Sequence, residues 1–229
     1  MNPSDTERIV FMNRREFSMH TLGAAGLAGL GVTLPGLVQA QGPVEGTNYV
    51  KLAQPAPVSA PAGKIEVVEF FWYGCPHCHH FEPYLAAWAA KQPADVAFRR
   101  VPVAFRENPF GAHQRLYFAI EALGLIPSLH AKVFNAMHGE GMKLDKPEAI
   151  GDFVAKQGVD RARFMSVYDS FAVQTKARQA RTLTDAYKID GVPAIGVAGQ
   201  YYTSVSLNAT PERALATTDH LIALARKGR

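Results

Sequence analysis

A nearly continuous apolar run from Ile65 to Tyr73 is the feature that most constrains the fold of this chain. Most of its residues are β-branched or aromatic, which is typical of a central strand covered on both faces. Gly74 ends the run, and Pro76 suits the first position of a helix, where its missing N–H would have no partner. The segment therefore predicts a buried strand that leads directly into a helix, with Cys75 at the junction.

The remainder of the chain predicts a mixed α/β domain. Residues 96–105 have the pattern of a second strand, residues 107–170 that of a block of helices, and residues 194–203 that of a β-hairpin. A strand–helix–strand unit followed by a hairpin and a last helix is the layout of a thioredoxin-like fold. We therefore predict one α/β, thioredoxin-like domain over residues 41–229, with a helical domain inserted at about 107–170.

Residues 1–40 have the composition of an export signal. Arg14 and Arg15 precede an apolar, glycine-rich stretch, and the small residues of Val38-Gln39-Ala40 suit cleavage after Ala40. The stretch is too short and too rich in glycine for a good membrane span. We therefore predict that this leader is removed and that the mature chain lies in the periplasm.

The route of export stays open from the sequence. The twin arginines followed by Phe17 resemble a twin-arginine (Tat) signal. Asn13 and Ser18 depart from the usual pattern, so the Sec route is an alternative. The true start is open as well, because Met12 is a second candidate beside Met1. None of these alternatives changes the interpretation of the mature chain.

The two cysteines of the chain, Cys75 and Cys78, are three positions apart. A bond between them would close almost no loop and add little stability, and a disulfide-stapled domain would carry more cysteines along its length. The pair therefore favours redox chemistry over stapling. Export supports this interpretation, since a disulfide persists in an oxidising compartment.

The spacing predicts different roles for the two sulfurs. A cysteine attacks as a thiolate, and the free N–H groups and dipole at a helix N-terminus stabilise a thiolate at Cys75. Cys78 lies one turn further on the same face, within reach of a disulfide. His77 adds a hydrogen-bond donor or a partial positive charge. We therefore predict an exposed attacking sulfur at Cys75 and a shielded resolving sulfur at Cys78.

The segment from Glu69 to Cys78, with Pro76 and His77 between the cysteines, resembles the DsbA family of periplasmic thiol oxidases. The resemblance implies a thiol:disulfide oxidoreductase that donates its Cys75–Cys78 disulfide to unfolded, newly exported proteins with free thiols. It implies an oxidising pair that needs no organic cofactor or metal. It also implies reoxidation by a DsbB-like membrane quinone reductase. We expect the protein to be a monomer.

The resemblance also implies a substrate site and a buried acid. In the family a cis-proline preceded by valine faces the cysteines and helps to hold extended substrate, and Val192 and Pro193 fit that place. An acidic family residue that assists proton transfer to the resolving cysteine is matched by Glu69. Arg100 or Arg99 falls nearest to it on the next strand. Arginine keeps its proton, so a relay would rest on Glu69 and water, and a purely structural ion pair is an equal alternative.

Other redox and haem functions fit parts of the same pattern. A disulfide isomerase or reductase of this fold would share the motif, and the reduction potential separates it from an oxidase. The letters from Cys75 to His79 also match C-x-x-C-H, the attachment signature of c-type haem, with Met137 or Met142 as candidate distal ligands. Such motifs normally occur in small helical proteins and do not follow an apolar strand.

The remaining alternatives are binding functions. His77, His79 and His80 crowd the cysteines, but zinc normally needs a second Cys/His pair, and we expect His79 and His80 on a solvated helix face. A non-catalytic module could bind extended chains at Phe71-Trp72-Tyr73 and Pro193. Nucleic acid is not an expected partner, because the net charge is only +4 and no basic cluster interleaved with aromatics is present.

Overall fold

The computed structural model describes residues 42–228, which contain a single five-stranded sheet. Its strands are β1 Tyr49–Lys51, β2 Ile65–Phe71, β3 Val96–Pro102, β4 Ala194–Val197 and β5 Tyr201–Ser204. Their spatial order is β1-β5-β4-β2-β3. β2 and β3 run parallel, whereas the other neighbouring pairs run antiparallel. β2 therefore lies inside the sheet, between β4 and the edge strand β3.

Helices make up most of the rest of the described chain. They are α1 Pro76–Ala89, α2 Phe110–Ala122, α3 Ile126–His138, α4 Pro147–Lys156, α5 Arg161–Tyr168, α6 Phe171–Ala186, α7 Val205–Asn208 and α8 Pro211–Lys227. α1 follows β2 directly, and α2 to α5 stand in the chain between β3 and α6. This order is that of a thioredoxin-like α/β fold with inserted helices, which confirms the predicted fold class.

β2 is buried along its whole length, as the apolar run predicts. Successive residues of a strand point to opposite faces of the sheet, and here both faces are covered. Val67 packs in a cluster with Leu85 of α1 and Ile222 of α8, whereas Phe70 belongs to a second cluster with Leu183 of α6. The strand therefore ends inside the core, and the residues that follow it start from a fixed position.

β3 ends at Pro102, which is earlier than the predicted end at Phe105. Val103 still donates its N–H to the carbonyl oxygen of Phe71 at 2.8 Å. Because β2 ends at Phe71, the residues after Val103 have no neighbouring strand to pair with. The strand prediction was too long because an apolar pattern does not show where the partner strand stops.

The predicted hairpin of β4 and β5 turns at Gly199, whose φ is +67°. A Cβ at this position would collide with the carbonyl oxygen of Ala56, so the turn needs glycine for space as well as for conformation. The Gly199 N–H donates to the Tyr187 hydroxyl at 2.9 Å. The end of α6 therefore holds the turn of the hairpin.

The sequence did not predict the single-turn helix α7. Its N-cap is Ser204, whose hydroxyl accepts the N–H of Leu207 at 3.2 Å. Asn208, its last residue, is buried and donates to the hydroxyl of Thr203 at 2.8 Å. A turn this short has no hydrophobic periodicity to detect, so only the cap residue could have indicated it.

No helix within residues 42–228 has the length and apolar character needed to cross a membrane. The predicted export signal at residues 1–40 lies outside the described residues. Its cleavage and its route of export therefore stay predictions.

Candidate active site

Cys75 is the N-cap residue of α1, and Pro76 is the first residue of the helix. The Cys75 backbone is extended, with φ −92° and ψ 116°, and its N–H donates to the carbonyl oxygen of Trp72 at 3.0 Å. Cys78 follows one turn later on the buried side of the helix. Both cysteines are free thiols, so the structure describes the reduced state. The junction predicted from the sequence is present where the strand enters the helix.

The attacking sulfur is more covered than the sequence predicts. Cys75 is 8% exposed, and its thiol donates to the carbonyl oxygen of Val192 at 3.6 Å. The loop before β4 therefore shields part of the sulfur. This shielding had no signal in the sequence, because it depends on a contact between residues far apart in the chain.

The surroundings of Cys75 lower the pKa of its thiol from 9.0 to about 6. The largest cause is a hydrogen bond from the Cys78 thiol, and burial opposes it. The N–H groups of Cys78 and His77 and the charge of His77 also stabilise the thiolate. These N–H groups belong to the first turn of α1, so the start of the helix stabilises the thiolate, although the Cys75 side chain makes no capping hydrogen bond as a thiol. The sequence analysis named the helix end and His77 as causes of a lowered Cys75 pKa and did not include the neighbouring Cys78 thiol.

The surroundings of Cys78 shift the pKa of its thiol in the opposite direction. It is fully buried, and burial raises the pKa of its thiol well above 9.0. Cys75 and the buried carboxyl of Glu69 raise this pKa further. The two sulfurs are therefore differentiated: Cys75 ionises readily, whereas Cys78 needs a proton acceptor to react.

Pro76 and His77 lie at the mouth of the site, and both are exposed. Pro76 starts the helix without presenting an unpaired N–H. The charge of His77 makes the smallest of the contributions to the lowered Cys75 pKa. The dipeptide therefore shapes and tunes the helix end without covering it.

Val192 and Pro193, the predicted substrate-binding pair, lie beside Cys75. The Val192–Pro193 peptide bond is cis, and β4 begins at the next residue, Ala194. The Val192 carbonyl oxygen is the acceptor of the Cys75 thiol. The fold thus brings together two predicted site segments that are far apart in the sequence.

Glu69 and Glu66, two carboxyls on β2, differ sharply in their partners. Glu66 accepts hydrogen bonds from Ser59 at 2.9 and 2.7 Å and from Arg99 at 3.1 and 3.2 Å. Burial would raise the pKa of Glu66, but these bonds lower it below its ordinary value. The carboxyl of Glu69 accepts no hydrogen bond from the described residues. Glu66 is therefore held by hydrogen bonds within its ion pair, whereas the carboxyl of Glu69 is not.

Arg100 is the partner of Glu69, which resolves the alternative with Arg99. The parallel register places Arg100 beside Glu69, with its Nε 3.0 Å from Glu69 Oε2. The guanidinium also donates from Nη2 to Glu82 Oε1 at 2.6 Å. Burial and then the charge of Glu82 raise the pKa of Glu69 to about 8, and Arg100 opposes them. Glu69 therefore keeps its proton to a much higher pH than an ordinary glutamate does.

The sequence analysis missed Glu82 and the groups behind it. Glu82 stands four residues after Cys78, so both lie on one face of α1. That spacing was visible in the sequence. His130 of α3 and Tyr73 continue the same buried network, with the Tyr73 hydroxyl 2.8 Å from His130 Nδ1. Nothing in the sequence around His130 indicated this contact.

An aromatic patch made of Trp72, Phe105 and Phe110 borders the site. The Trp72 ring stacks on Phe110 at 4.1 Å, and Phe105 meets Phe110 edge-on at 5.8 Å. Trp72 Nε1 donates to His113 Nδ1 at 2.8 Å, which fixes the indole ring. Phe105 is 45% exposed. The patch offers apolar surface next to the turn that carries Cys75.

His79 is half-buried and not fully solvated, which corrects part of one expectation. Its ring stacks against Phe134 and His138, and its Nε2 lies 3.2 Å from the side-chain oxygen of Asn135. The ring that haem attachment would need as an axial ligand is therefore engaged with α3. His80 is exposed, as expected. Within residues 42–228 no three His, Cys, Asp or Glu side chains group as metal ligands.

Comparison with known proteins agrees with this geometry. The family described as DSBA-like thioredoxin domain matches residues 66–217. The thiol:disulfide interchange protein DsbA of Burkholderia cepacia is 48% identical over 170 residues, covering 73% of this chain and 80% of that protein. DsbA of Azotobacter vinelandii is 45% identical over 177 residues, covering 77% and 82%.

Solved structures agree as well. The crystal structure of Pseudomonas aeruginosa DsbA has a TM-score of 0.77 at 43% identity, covering 80% of this chain and 94% of that one. The oxidoreductase DsbA from Xylella fastidiosa has a TM-score of 0.75 at 34% identity, covering 81% and 98%. The chain therefore belongs to the DsbA-like thioredoxin domain family and is a thiol:disulfide oxidoreductase whose redox group is a cysteine pair.

Proposed function

We propose that the protein acts in the periplasm and donates a disulfide between Cys75 and Cys78 to newly exported proteins with free thiols. The observation that carries this proposal is the difference between the two sulfurs at the start of α1. The Cys75 pKa is lowered to about 6, whereas that of Cys78 is raised well above 9.0. A pair that favours a reduced, ionised Cys75 gives its disulfide away.

The first step forms a mixed disulfide. A substrate thiolate attacks the Cys75 sulfur of the oxidised protein, a substrate–Cys75 bond forms, and the Cys75–Cys78 bond breaks. The bonding electrons leave on the Cys78 sulfur. Because this thiolate is buried and its pKa is high, it takes up a proton as it forms.

The second step releases the oxidised substrate. A second substrate thiolate attacks the substrate sulfur of the mixed disulfide, and Cys75 leaves as a thiolate. The lowered Cys75 pKa makes it a good leaving group. Two electrons have then moved from the substrate dithiol to the Cys75–Cys78 pair, and the substrate holds one new disulfide.

Glu69 supplies the proton that Cys78 needs in the first step. Its carboxyl is buried, accepts no hydrogen bond from the described residues, and has a pKa near 8, so it holds a proton at neutral pH. It also interacts electrostatically with Cys78. Arg100 stays charged and orients the carboxyl without taking part in the transfer.

Substrate docks as an extended chain beside Pro193. The Val192 carbonyl oxygen lies next to the Cys75 sulfur, so a chain seated along this loop presents its cysteine to Cys75. The aromatic patch of Trp72, Phe105 and Phe110 provides apolar surface for unfolded segments. A DsbB-like membrane quinone reductase then takes two electrons from the reduced pair and passes them to its quinone. This last step rests on family resemblance.

A redox titration of the mature protein against glutathione, read by alkylation of Cys75, tests this function. We expect a reduction potential far above the value of about −270 mV that is typical of thioredoxin. The reference value for DsbA, an established property of that family, is about −120 mV. A potential near that of thioredoxin would identify a reductase and contradict the proposed direction of transfer.

A further inference from the structure

Behind Glu69 and Arg100 lies a chain of buried polar groups that the reaction steps above do not use. Arg100 Nη2 donates to Glu82 Oε1 at 2.6 Å. The other carboxyl oxygen, Glu82 Oε2, lies 3.3 Å from His130 Nε2. His130 Nδ1 lies 2.8 Å from the Tyr73 hydroxyl. Strand β2, the turn after it, α1, α3 and β3 each contribute to one continuous cluster.

Two carboxyls in this cluster share one guanidinium. Arg100 makes an aligned hydrogen bond to Glu82, whereas its Nε meets Glu69 Oε2 at 3.0 Å without the alignment of a hydrogen bond. When two carboxyls share a buried site, one of them keeps a proton. These contacts favour a charged Glu82 and a protonated Glu69.

His130 adds to the difference in charge between the carboxyls of Glu82 and Glu69. A neutral imidazole has one donor and one acceptor nitrogen. The arrangement in which the Tyr73 hydroxyl donates to Nδ1 leaves the ring proton on Nε2, which lies 3.3 Å from Glu82 Oε2 without the alignment of a hydrogen bond. Tyr73 is fully buried and His130 is 4% exposed, so water does not readily replace either partner. In that arrangement the Nε2–H dipole of His130 faces Glu82 and supports a negative charge on its carboxyl.

We propose that His130, oriented by Tyr73, is a positioning residue that keeps Glu82 ionised and thereby places the shared proton of the carboxyl pair on Glu69. The consequence for Cys78 rests on the proton-transfer role proposed above for Glu69, whereas the location of the proton does not. His130 touches neither sulfur nor substrate. It acts through Glu82 and Arg100.

His130 acts as a neutral donor in this arrangement. The titratable and charged groups that face it are Tyr73 after β2, Glu82 on α1, Arg100 on β3 and Tyr117 on α2. Burial lowers the pKa of His130, Glu82 opposes this, and Arg100 adds to it. The titration of the ring itself is therefore shifted to lower pH. Its effect is expected in the titration of Glu69.

Infrared spectroscopy of the reduced mature protein tests the proposal, because a protonated carboxyl has its own C=O band. The Glu69→Gln variant identifies the Glu69 band by removing it. His130→Phe keeps an aromatic ring against Phe71 and Phe134 and removes both nitrogens. We expect the titration midpoint of Glu69 to fall by at least about one pH unit in His130→Phe, as the proton moves to Glu82.

Two further variants keep the test decisive. Glu82→Gln should also lower the Glu69 midpoint, and adding His130→Phe to it should produce no further shift. Tyr73→Phe removes one hydroxyl and should produce a smaller shift in the same direction, which carries the test if His130→Phe does not fold. An unchanged Glu69 midpoint in folded His130→Phe and Tyr73→Phe would show that His130 serves only to pack the core, and would overturn the proposal.

The same variants separate this inference from the proton-transfer role. If the Glu69 midpoint moves but the pH profile of mixed-disulfide formation stays the same, His130 places the proton as proposed and Glu69 is not the donor to Cys78. If both move together, the two proposals stand together.

Discussion

The thiol of Cys75 donates a hydrogen bond to the carbonyl oxygen of Val192 at 3.6 Å. This contact joins the start of α1 to the loop before β4, which carries Pro193. The carbonyl oxygen can accept a hydrogen bond from the Cys75 thiol, but it would repel the negative charge of a Cys75 thiolate. Ionisation therefore favours a sulfur position closer to the Cys78 thiol, which can donate to it. The hydrogen bond from Cys78 is the largest cause of the lowered Cys75 pKa.

The resolving cysteine should therefore control how easily the attacking cysteine ionises. Cys78→Ala removes the donor, and we expect the Cys75 pKa to rise clearly from about 6 toward the ordinary value of 9.0. Cys78→Ser is the matched control, because its hydroxyl can still donate, and its Cys75 pKa should stay lower than in Cys78→Ala. Ultraviolet absorbance of the thiolate against pH measures both. Equal values in the two variants would contradict the assigned cause.

His77 should have a smaller effect in the same direction. His77→Ala removes a partial positive charge and is expected to raise the Cys75 pKa and lower the reduction potential. Each pKa unit corresponds to about 30 mV for this two-electron couple. Glutathione equilibration measures the change, with His80→Ala as the exposed control on the same helix. A potential that rises in His77→Ala would be inconsistent with this electrostatic account.

Glu69 should make the reduced protein less stable as the pH rises. Its folded pKa, about 8, is above the ordinary value of 4.5, so its contribution is fully present below pH 4.5 and is lost as the pH rises through about 8. Each unit between the two values corresponds to about 1.4 kcal/mol. We expect Glu69→Gln to gain thermal stability relative to the parent over this interval, measured as the difference in Tm.

Glu66 is the matched control for that experiment. Its folded pKa is lowered, so its contribution is present above the ordinary pKa and is lost as the pH falls through the folded value. Glu66→Gln should therefore be less stable than the parent near neutral pH, with the difference shrinking in acid. If the Tm differences of the two variants depended on pH in the same sense, the contrast between the two carboxyls would be wrong.

The aromatic patch should matter for polypeptide substrates and not for small thiols. Phe105→Ser is expected to lower kcat/KM for a reduced, unfolded protein several-fold, while oxidation of dithiothreitol continues at the parent rate. Phe171→Ser is the control, because Phe171 is 77% exposed and lies at the start of α6, outside the patch. A similar loss in both variants would point to a general surface effect.

Local sequence predicted the parts of the site that lie close together in the chain. The apolar run, Gly74, Pro76 and the cysteine spacing are all within fourteen residues, so strand, junction and helix start follow from their order. The register of β3 was not visible, because Arg99 and Arg100 are equivalent in the sequence. Pairing with β2 places Arg100 beside Glu69, whereas Arg99 lies opposite Val68 and its side chain reaches Glu66.

The other contacts of the site depend on packing between residues far apart in the chain. The contact of His130 with Glu82 and Tyr73 depends on how α3 docks against α1, and no pattern around His130 encodes it. His79 was expected in solvent for the same reason, since the approach of α3 is not visible from α1 alone. Sequence spacing indicates which residues share a face, and only the packed fold shows what that face meets.

The most direct test of the central claim is the rate of Cys75 alkylation in the reduced mature protein as a function of pH. The thiolate is the reacting form, so the rate reports its fraction. We predict a midpoint near pH 6, in line with the lowered pKa. A midpoint near 9, the ordinary value for a cysteine thiol, would contradict the proposal that a stabilised Cys75 thiolate makes this protein a disulfide donor.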